Sequence, residues 1–152
     1  MIGIKEKQEL HIDNLICYRG IKRQDEIGLV VQEMETYIRE VGARRIGDLI
    51  TATHSIEGNG VDFEVFMPID RRVDSSDTFA YKRQILIVNA VVASFKGYPA
   101  GFQEVYNQLN KYIAEHELKP ITTGYVVSKS TDKASSESVE IDIYVGINPN
   151  IV

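Results

Sequence analysis

A chain of 152 residues with 43% hydrophobic and 26% charged residues has the composition of one globular domain with a sizeable core. Lysine and arginine number 17 against 22 acids, a formal net charge of −5, which leaves no basic face for neutralising phosphates and speaks against nucleic acid as a partner. No apolar run approaches the ~20 residues of a membrane span, and the N-terminus lacks the basic-then-apolar layout of a secretory signal, so a cytoplasmic protein without membrane contact is expected.

The first element is a strand over Glu9 to Gly20, with Leu10, Ile12, Ile16 and Tyr18 at alternate positions. The one cysteine, Cys17, lies in this apolar run, cannot form an internal disulfide and reads as a small buried hydrophobe. A polar loop follows, with Asp25 as the expected helix N-cap, and a helix runs to about Val41 with Gly42 at its C-terminal stop. Ile46 to Ile56 reads as a strand, Glu57 to Gly60 as a hairpin turn, and Val61 to Ile69 as the returning strand. Asp70 to Lys82 is polar and aperiodic, the expected seam of the chain. Then come a strand at Ile85 to Phe95, a loop containing Pro99 and a helix from Phe102 to about Glu117. A strand at Ile121 to Ser130, a serine-rich loop at Thr131 to Ser138 and a last strand at Val139 to Ile147 complete the chain.

The order is β-α-β-β twice. Tyr18-Arg19-Gly20 is answered by Phe95-Lys96-Gly97, and the helix positions Ile27, Val30, Met34 and Ile38 map onto Phe102, Val105, Leu109 and Ile113 at a constant offset of about 75. The expected architecture is one α+β domain spanning 1–152, with pseudo-repeats at about 9–70 and 84–148. The duplicated βαββ units would form one curved antiparallel sheet with two helices on one face, and a groove is expected between the halves.

Side chains of a strand alternate between faces. In the closing strands one face is apolar: Val61, Phe63, Val65 and Met67, then Val139, Ile141, Ile143, Val145 and Ile147. These are expected under the helices. The opposite face alternates acids and aromatics: Asp62, Glu64, Phe66 and Pro68 in one copy, Glu140, Asp142, Tyr144 and Gly146 in the other. A partly desolvated carboxylate attracts a cation, and each aromatic face adds ~0.5–2 kcal/mol by cation–π contact.

The duplication, with Glu64 four residues before Pro68 in Glu-Val-Phe-Met-Pro, resembles the GyrI-like (gyrase-inhibitor-like) effector-binding domain family over nearly the whole chain, from about Leu10 to Ile147. The similarity is greatest to uncharacterised stand-alone Firmicute members of about this length, some of them encoded near secreted toxins. In that family a glutamate on the second closing strand pairs with cationic ligands and aromatic residues stack on them. The resemblance implies Asp142 in that role, Glu64 as its counterpart, and Phe66 and Tyr144 as stacking residues. Asp142 is one methylene shorter than the family's glutamate, and Gly146 stands where a proline is expected.

Tyr18, Phe95 and Tyr125 also lie on strands and line the groove if theirs is the open face. Tyr106 and Tyr112 read as core or core-edge residues of the second helix. His11, His54 and His116 are far apart, no Cys/His cluster has metal-ligand spacing, and no phosphate-binding glycine loop is present, so neither metal nor cofactor is expected. No nucleophile–base pair is evident, and no catalytic residue is assigned. The pattern is read first as a small-molecule binder, for a cationic or amphipathic aromatic compound, that does no chemistry. The alternative is a protein-interaction or adaptor module, accessory to a secreted toxin system. A GyrI-like hydrolase comes third.

Overall fold

The alternating apolar residues of the sequence build six strands, and the two 3.6-residue stripes build two helices. They are β1 (Ile2–Lys22), α1 (Ile27–Glu40), β2 (Leu49–Glu57), β3 (Gly60–Pro68), β4 (Ala80–Gly97), α2 (Phe102–Glu115), β5 (Tyr125–Lys129) and β6 (Val139–Gly146). The class is α+β, as the pattern indicates. The computed structural model describes residues 2–129 and 139–148. The serine-rich loop read at Thr131 to Ser138 lies outside them.

Contacts divide the chain into two compact units, His11–Ile85 on one side and the chain up to Leu10 together with Leu86 onward on the other. In the first, β3 is the central strand, pairing antiparallel with β1 and β2. In the second, β6 is central, between β4 and β5. One face of each sheet carries its helix. Val30, Met34 and Ile38 of α1 pack on Ile16, Val61, Phe63, Val65 and Met67. Val105, Leu109 and Ile113 of α2 pack on Val91, Ala93, Ile141, Ile143, Val145 and Ile147. The apolar face of each closing strand thus lies where its period of two requires.

Several boundaries differ from the sequence expectation. β1 and β4 start earlier, because the alternation continues into their polar ends. The segment expected to be a seam sends Phe79 into the first core, where its ring lies 5.2 Å from Tyr37 and 6.2 Å from Tyr18. β2 and β5 begin at Leu49 and Tyr125, since the residues before them make only the isolated bridges Arg45 to Ile69 and Pro120 to Ile147. Asp25 does not cap α1. The helix enters through a 3-10 turn at Gln24–Glu26, its N-cap is Glu26, and the Glu26 carboxylate accepts a bond from the Arg23 backbone N–H at 2.9 Å.

The repeat itself is slipped relative to its most visible motif. Tyr18 faces Val65 across the β1/β3 ladder, whereas Phe95 faces Ile141 across β4/β6, and the counterpart of Val65 is Ile143. The sheet frame keeps the offset of the helices, so Ala93 takes the place of Tyr18, and Phe95 that of Gly20. A slip of two preserves the face. In each copy the ring folds back over the glycine that follows it: a Cβ on Gly20 would meet the Tyr18 ring and one on Gly97 the Phe95 ring.

Both helices end alike. Ala43 N–H bonds to Ile38 C=O and Leu118 N–H to Ile113 C=O, each at 3.0 Å, which closes a Schellman turn through a left-handed residue. That residue is Gly42 (φ 78°) in the first copy and Glu117 (φ 53°) in the second. A Cβ is disfavoured there, so Glu117→Gly is expected to raise stability by about 1 kcal/mol, and Gly42→Ala to lower it similarly. Urea unfolding of the two variants measures both.

Candidate functional site

The second unit presents an acid between two tyrosines and a lysine. Asp142 sits on the helix-free face of β6, its ladder neighbours being Ser94 of β4 and Val127 of β5. Tyr144, two residues on, faces Tyr125 directly across the β5/β6 ladder, and both rings are half-buried. Two residues the other way, Glu140 faces Lys96 and Lys129. The Lys129 ammonium lies 3.0 Å from Asp142 Oδ2 and 3.9 Å from Glu140 Oε1.

Asp142 is the one buried polar or charged residue among the described residues, at 8% exposure. Its Oδ2 takes the lysine. Its Oδ1 is fully enclosed and accepts no hydrogen bond from any described residue. Such an orphan is uncommon in folded proteins and calls for an explanation. The ion pair marks its surroundings: the Asp142 carboxylate holds the Lys129 ammonium above the usual lysine range, with Glu140 and Tyr144 adding to the effect. Burial pushes the Tyr144 hydroxyl up, and the Asp142 charge pushes it further.

The matching face of the first unit is occupied differently. His54 Nε2 lies 2.7 Å from Glu64 Oε1, and Arg19 makes paired contacts of 3.3 and 3.2 Å to Asp62. Both acids therefore have internal cationic or hydrogen-bonding partners. Phe66, expected as an open stacking surface, is only 1% exposed. It stands between Cys17 and Ile50 in the ladder with the Lys82 ammonium 5.9 Å from its ring centre. Cys17 is half-buried on the same face, where burial pushes its thiol up while Lys82 pulls it down.

The structure brings Asp142, Tyr144 and Tyr125 together and places Glu64 and Phe66 on the other unit. It does not bring Tyr18 and Phe95 to a helix-free face. Tyr18 packs on Phe63 at 5.8 Å, in the core under α1, and Phe95 meets Phe102 of α2 edge-on at 5.9 Å. Two polar partners went unread in the sequence. His54 reaches Glu64 because a bulge between Thr53 and Ser55 breaks the alternation of β2. Lys129 reaches Asp142 through the β5/β6 register, whose only sequence signal is a basic residue at the end of an apolar run.

Among the described residues, no group of three or more histidine, cysteine, aspartate or glutamate side chains is placed to hold a metal ion, and no helix is long and apolar enough to cross a membrane. No family model matches the sequence, and no curated protein matches it. Solved structures do match it by fold. The C-terminal domain of EcmrR superimposes with a TM-score of 0.79 at 13% identity, over 97% of this chain and 96% of that domain. EcmrR in its complex with DNA matches with a TM-score of 0.78 at 14% identity over 97% of this chain but only 57% of EcmrR, so this chain spans little more than half that protein's length. SAV2435, solved bound to tetraphenylphosphonium, matches with a TM-score of 0.54 at 11% identity over 98% of this chain and 94% of its own. A hydrolase from Listeria innocua matches with a TM-score of 0.60 at 11% identity, over 93% and 92%. The fold is GyrI-like. At these identities the likeness is one of fold, and the side chains of a site must be taken from this chain alone.

Proposed function

We propose that the chain is a GyrI-like small-molecule binding protein whose ligand is a cation with an aromatic body, received by the helix-free face of the second unit. Asp142 supplies the charge, and Tyr144 and Tyr125 supply the aromatic surface. One observation carries the proposal: the enclosed Asp142 Oδ1, which no described residue bonds. A buried carboxylate beside two half-buried tyrosines attracts a cation both by charge and by ring quadrupole. That SAV2435, a protein of the same fold, holds tetraphenylphosphonium supports a cationic ligand class for this scaffold. Glu64, already engaged by His54, and the buried Phe66 are secondary in this proposal.

A panel of lipophilic aromatic cations followed by thermal unfolding tests it. Ligand that binds the folded state raises stability as RT ln(1 + [L]/Kd). The wild-type melting temperature is expected to rise with at least one compound, and Asp142→Asn to weaken that binding by about tenfold or more, while Glu64→Gln changes it by no more than about twofold. Equal losses in the two variants would move the site away from Asp142. An unmoved melting temperature across the panel, with stabilisation by a co-purifying protein instead, would replace this reading by the adaptor one.

A further inference from the structure

We infer that the first unit carries an anion site at the C-terminal end of α1, suited to a small phosphate monoester. The inference is independent of the cation-binding proposal, which concerns the other unit. A cavity of about 400 Å³ is lined by Glu35, Ile38, Arg39, Ala43, Arg44 and Arg45. Ile38 and Ala43, both buried, are its apolar part. Three guanidinium groups against one carboxylate leave the lining two positive charges in excess. The arginines are anchored. Arg44 N–H donates to Asp70 Oδ1, and Arg44 C=O accepts from Asp70 N–H, both at 2.9 Å. Asp70 is itself paired with Arg71 at 3.2 Å. Arg45 donates to Glu35 Oε1 at 3.2 Å and to Gly47 C=O at 3.0 Å, and Arg39 donates to the Thr36 hydroxyl at 3.4 Å. Among the described residues, neither the Arg39 nor the Arg44 guanidinium forms an ion pair.

The fold alone does not call for this cluster. A cation near a helix C-terminus complements the dipole, and Arg39, in the last turn of α1, is placed to do so. Yet α2 closes with the same Schellman turn and has no basic residue in its last turn. At the offset of 75, Glu35, Arg39 and Arg45 become Asn110, Ala114 and Pro120, and only Arg44 keeps a cation, as Lys119. Two copies of one scaffold thus differ by a charge cluster that packing does not need. Guanidinium forks offer paired N–H donors to the oxygens of a phosphate or carboxylate. An excess of two positive charges matches the dianion of a phosphate monoester better than a single carboxylate. The rest of the chain sets the size. With a net charge of −5, the surface beyond the cluster repels a polyanion, and three side chains are too few for the basic face that a duplex requires. A small dianion meets the local field alone, since charges beyond about 8–10 Å are screened.

Phenyl phosphate and benzoate, which share a ring and differ in charge, test the site. Each is titrated calorimetrically at neutral pH and low ionic strength into the wild-type protein, Arg39→Gln, Arg44→Gln and Lys119→Gln. Phenyl phosphate is expected to bind the wild type at least about tenfold more tightly than benzoate, and added salt to weaken it. Arg39→Gln and Arg44→Gln should each weaken phenyl phosphate about fivefold or more. Lys119→Gln, at the equivalent position of the second copy, should leave its affinity unchanged. Both arginines are exposed, so their replacement leaves the core intact, and urea unfolding checks the fold of each variant. No binding of phenyl phosphate, equal binding of both probes, or an affinity that both arginine variants retain would each overturn the inference. An oligonucleotide that displaces phenyl phosphate and binds more tightly would also overturn it, by making nucleic acid the ligand. None of these outcomes bears on the cation site, whose test rests on Asp142.

Discussion

Lys129→Met is expected to make the free protein less stable and its ligand complex tighter, a combination that few single substitutions produce. The ammonium of Lys129 is tethered to the carboxylate at 3.0 Å and so acts as a resident competitor for the charge an incoming cation would use. Its removal leaves Asp142 buried without a counter-charge. For a fully enclosed pair that loss costs about 3–5 kcal/mol. Here 40% of the lysine side chain remains in solvent, which screens the interaction, and about 1–2 kcal/mol is the expected loss. Glu140 and Tyr144 lie on the same face, and Lys96 stands across the ladder from Glu140. Methionine keeps the aliphatic stem, so packing changes little. A cation that then binds restores the missing charge, and its affinity should rise by about tenfold. The contribution of the pair also has a pH signature. Because folding raises the Lys129 pKa, the stabilisation is fully present below the ordinary lysine range and is lost as the pH rises through the raised folded value. Urea unfolding with and without 1-naphthylmethylammonium, for wild type and variant, reads both effects. A variant of unchanged stability with weaker binding would make Lys129 a ligand contact instead.

The features that fix the scaffold are local and periodic, and those were readable. Ile27, Val30, Met34 and Ile38 form a helix stripe whatever surrounds them, and so do their counterparts from Phe102 to Ile113. The alternation in Val61 to Met67 and Val139 to Ile147 fixes which face meets a helix. What periodicity does not encode is strand order. β3 and β6 are each the central strand of their unit. Both edges of a central strand carry neighbouring strands whose side chains crowd its open face, so Phe66 and Asp142, read as members of that face, are buried while Glu64 and Tyr144 keep some exposure. The same limit explains Tyr18 and Phe95: the motif they begin is repeated, but its two copies are shifted by two residues in the ladder, and both rings face the helix. The bulge that turns His54 toward Glu64 leaves no mark in composition. The orphaned oxygen of Asp142 is a tertiary property altogether, since it depends on Lys129 taking one oxygen and no described group reaching the other.

Gly146→Pro, which would give the second closing strand the residue that the first carries at Pro68, is expected to destabilise the protein by about 2–4 kcal/mol. The two copies have solved the same contact in opposite ways. In the first, Pro68 C=O accepts a bond from Ile46 N–H at 2.9 Å, and the neighbouring Gly47 has no Cβ because one would lie 3.1 Å from the proline ring. In the second, Gly146 C=O accepts from Ile121 N–H at 2.8 Å, and the residue after it is Thr122. There the bulk has changed sides. Thr122 Oγ1 accepts the Gly146 N–H at 2.8 Å, and a Cβ on Gly146 would lie 2.9 Å from the threonine methyl. Proline at 146 removes the donor and places ring atoms against the methyl, so one substitution incurs both penalties. Adding Thr122→Gly, which recreates the glycine–proline pair of the first copy, should recover most of the loss, although Thr122→Gly alone destabilises by giving up the hydrogen bond. A double-mutant cycle in urea isolates the coupling, expected to be about 1–3 kcal/mol and favourable in the double variant. Additive losses would mean that Gly146 is required for its backbone conformation and not for the room and the N–H it offers Thr122. On the coupled outcome, the glycine in place of proline is a repacking internal to the second unit. It then leaves Asp142 and Tyr144, four and two residues earlier on the same strand, in the register that the proposed charge site needs.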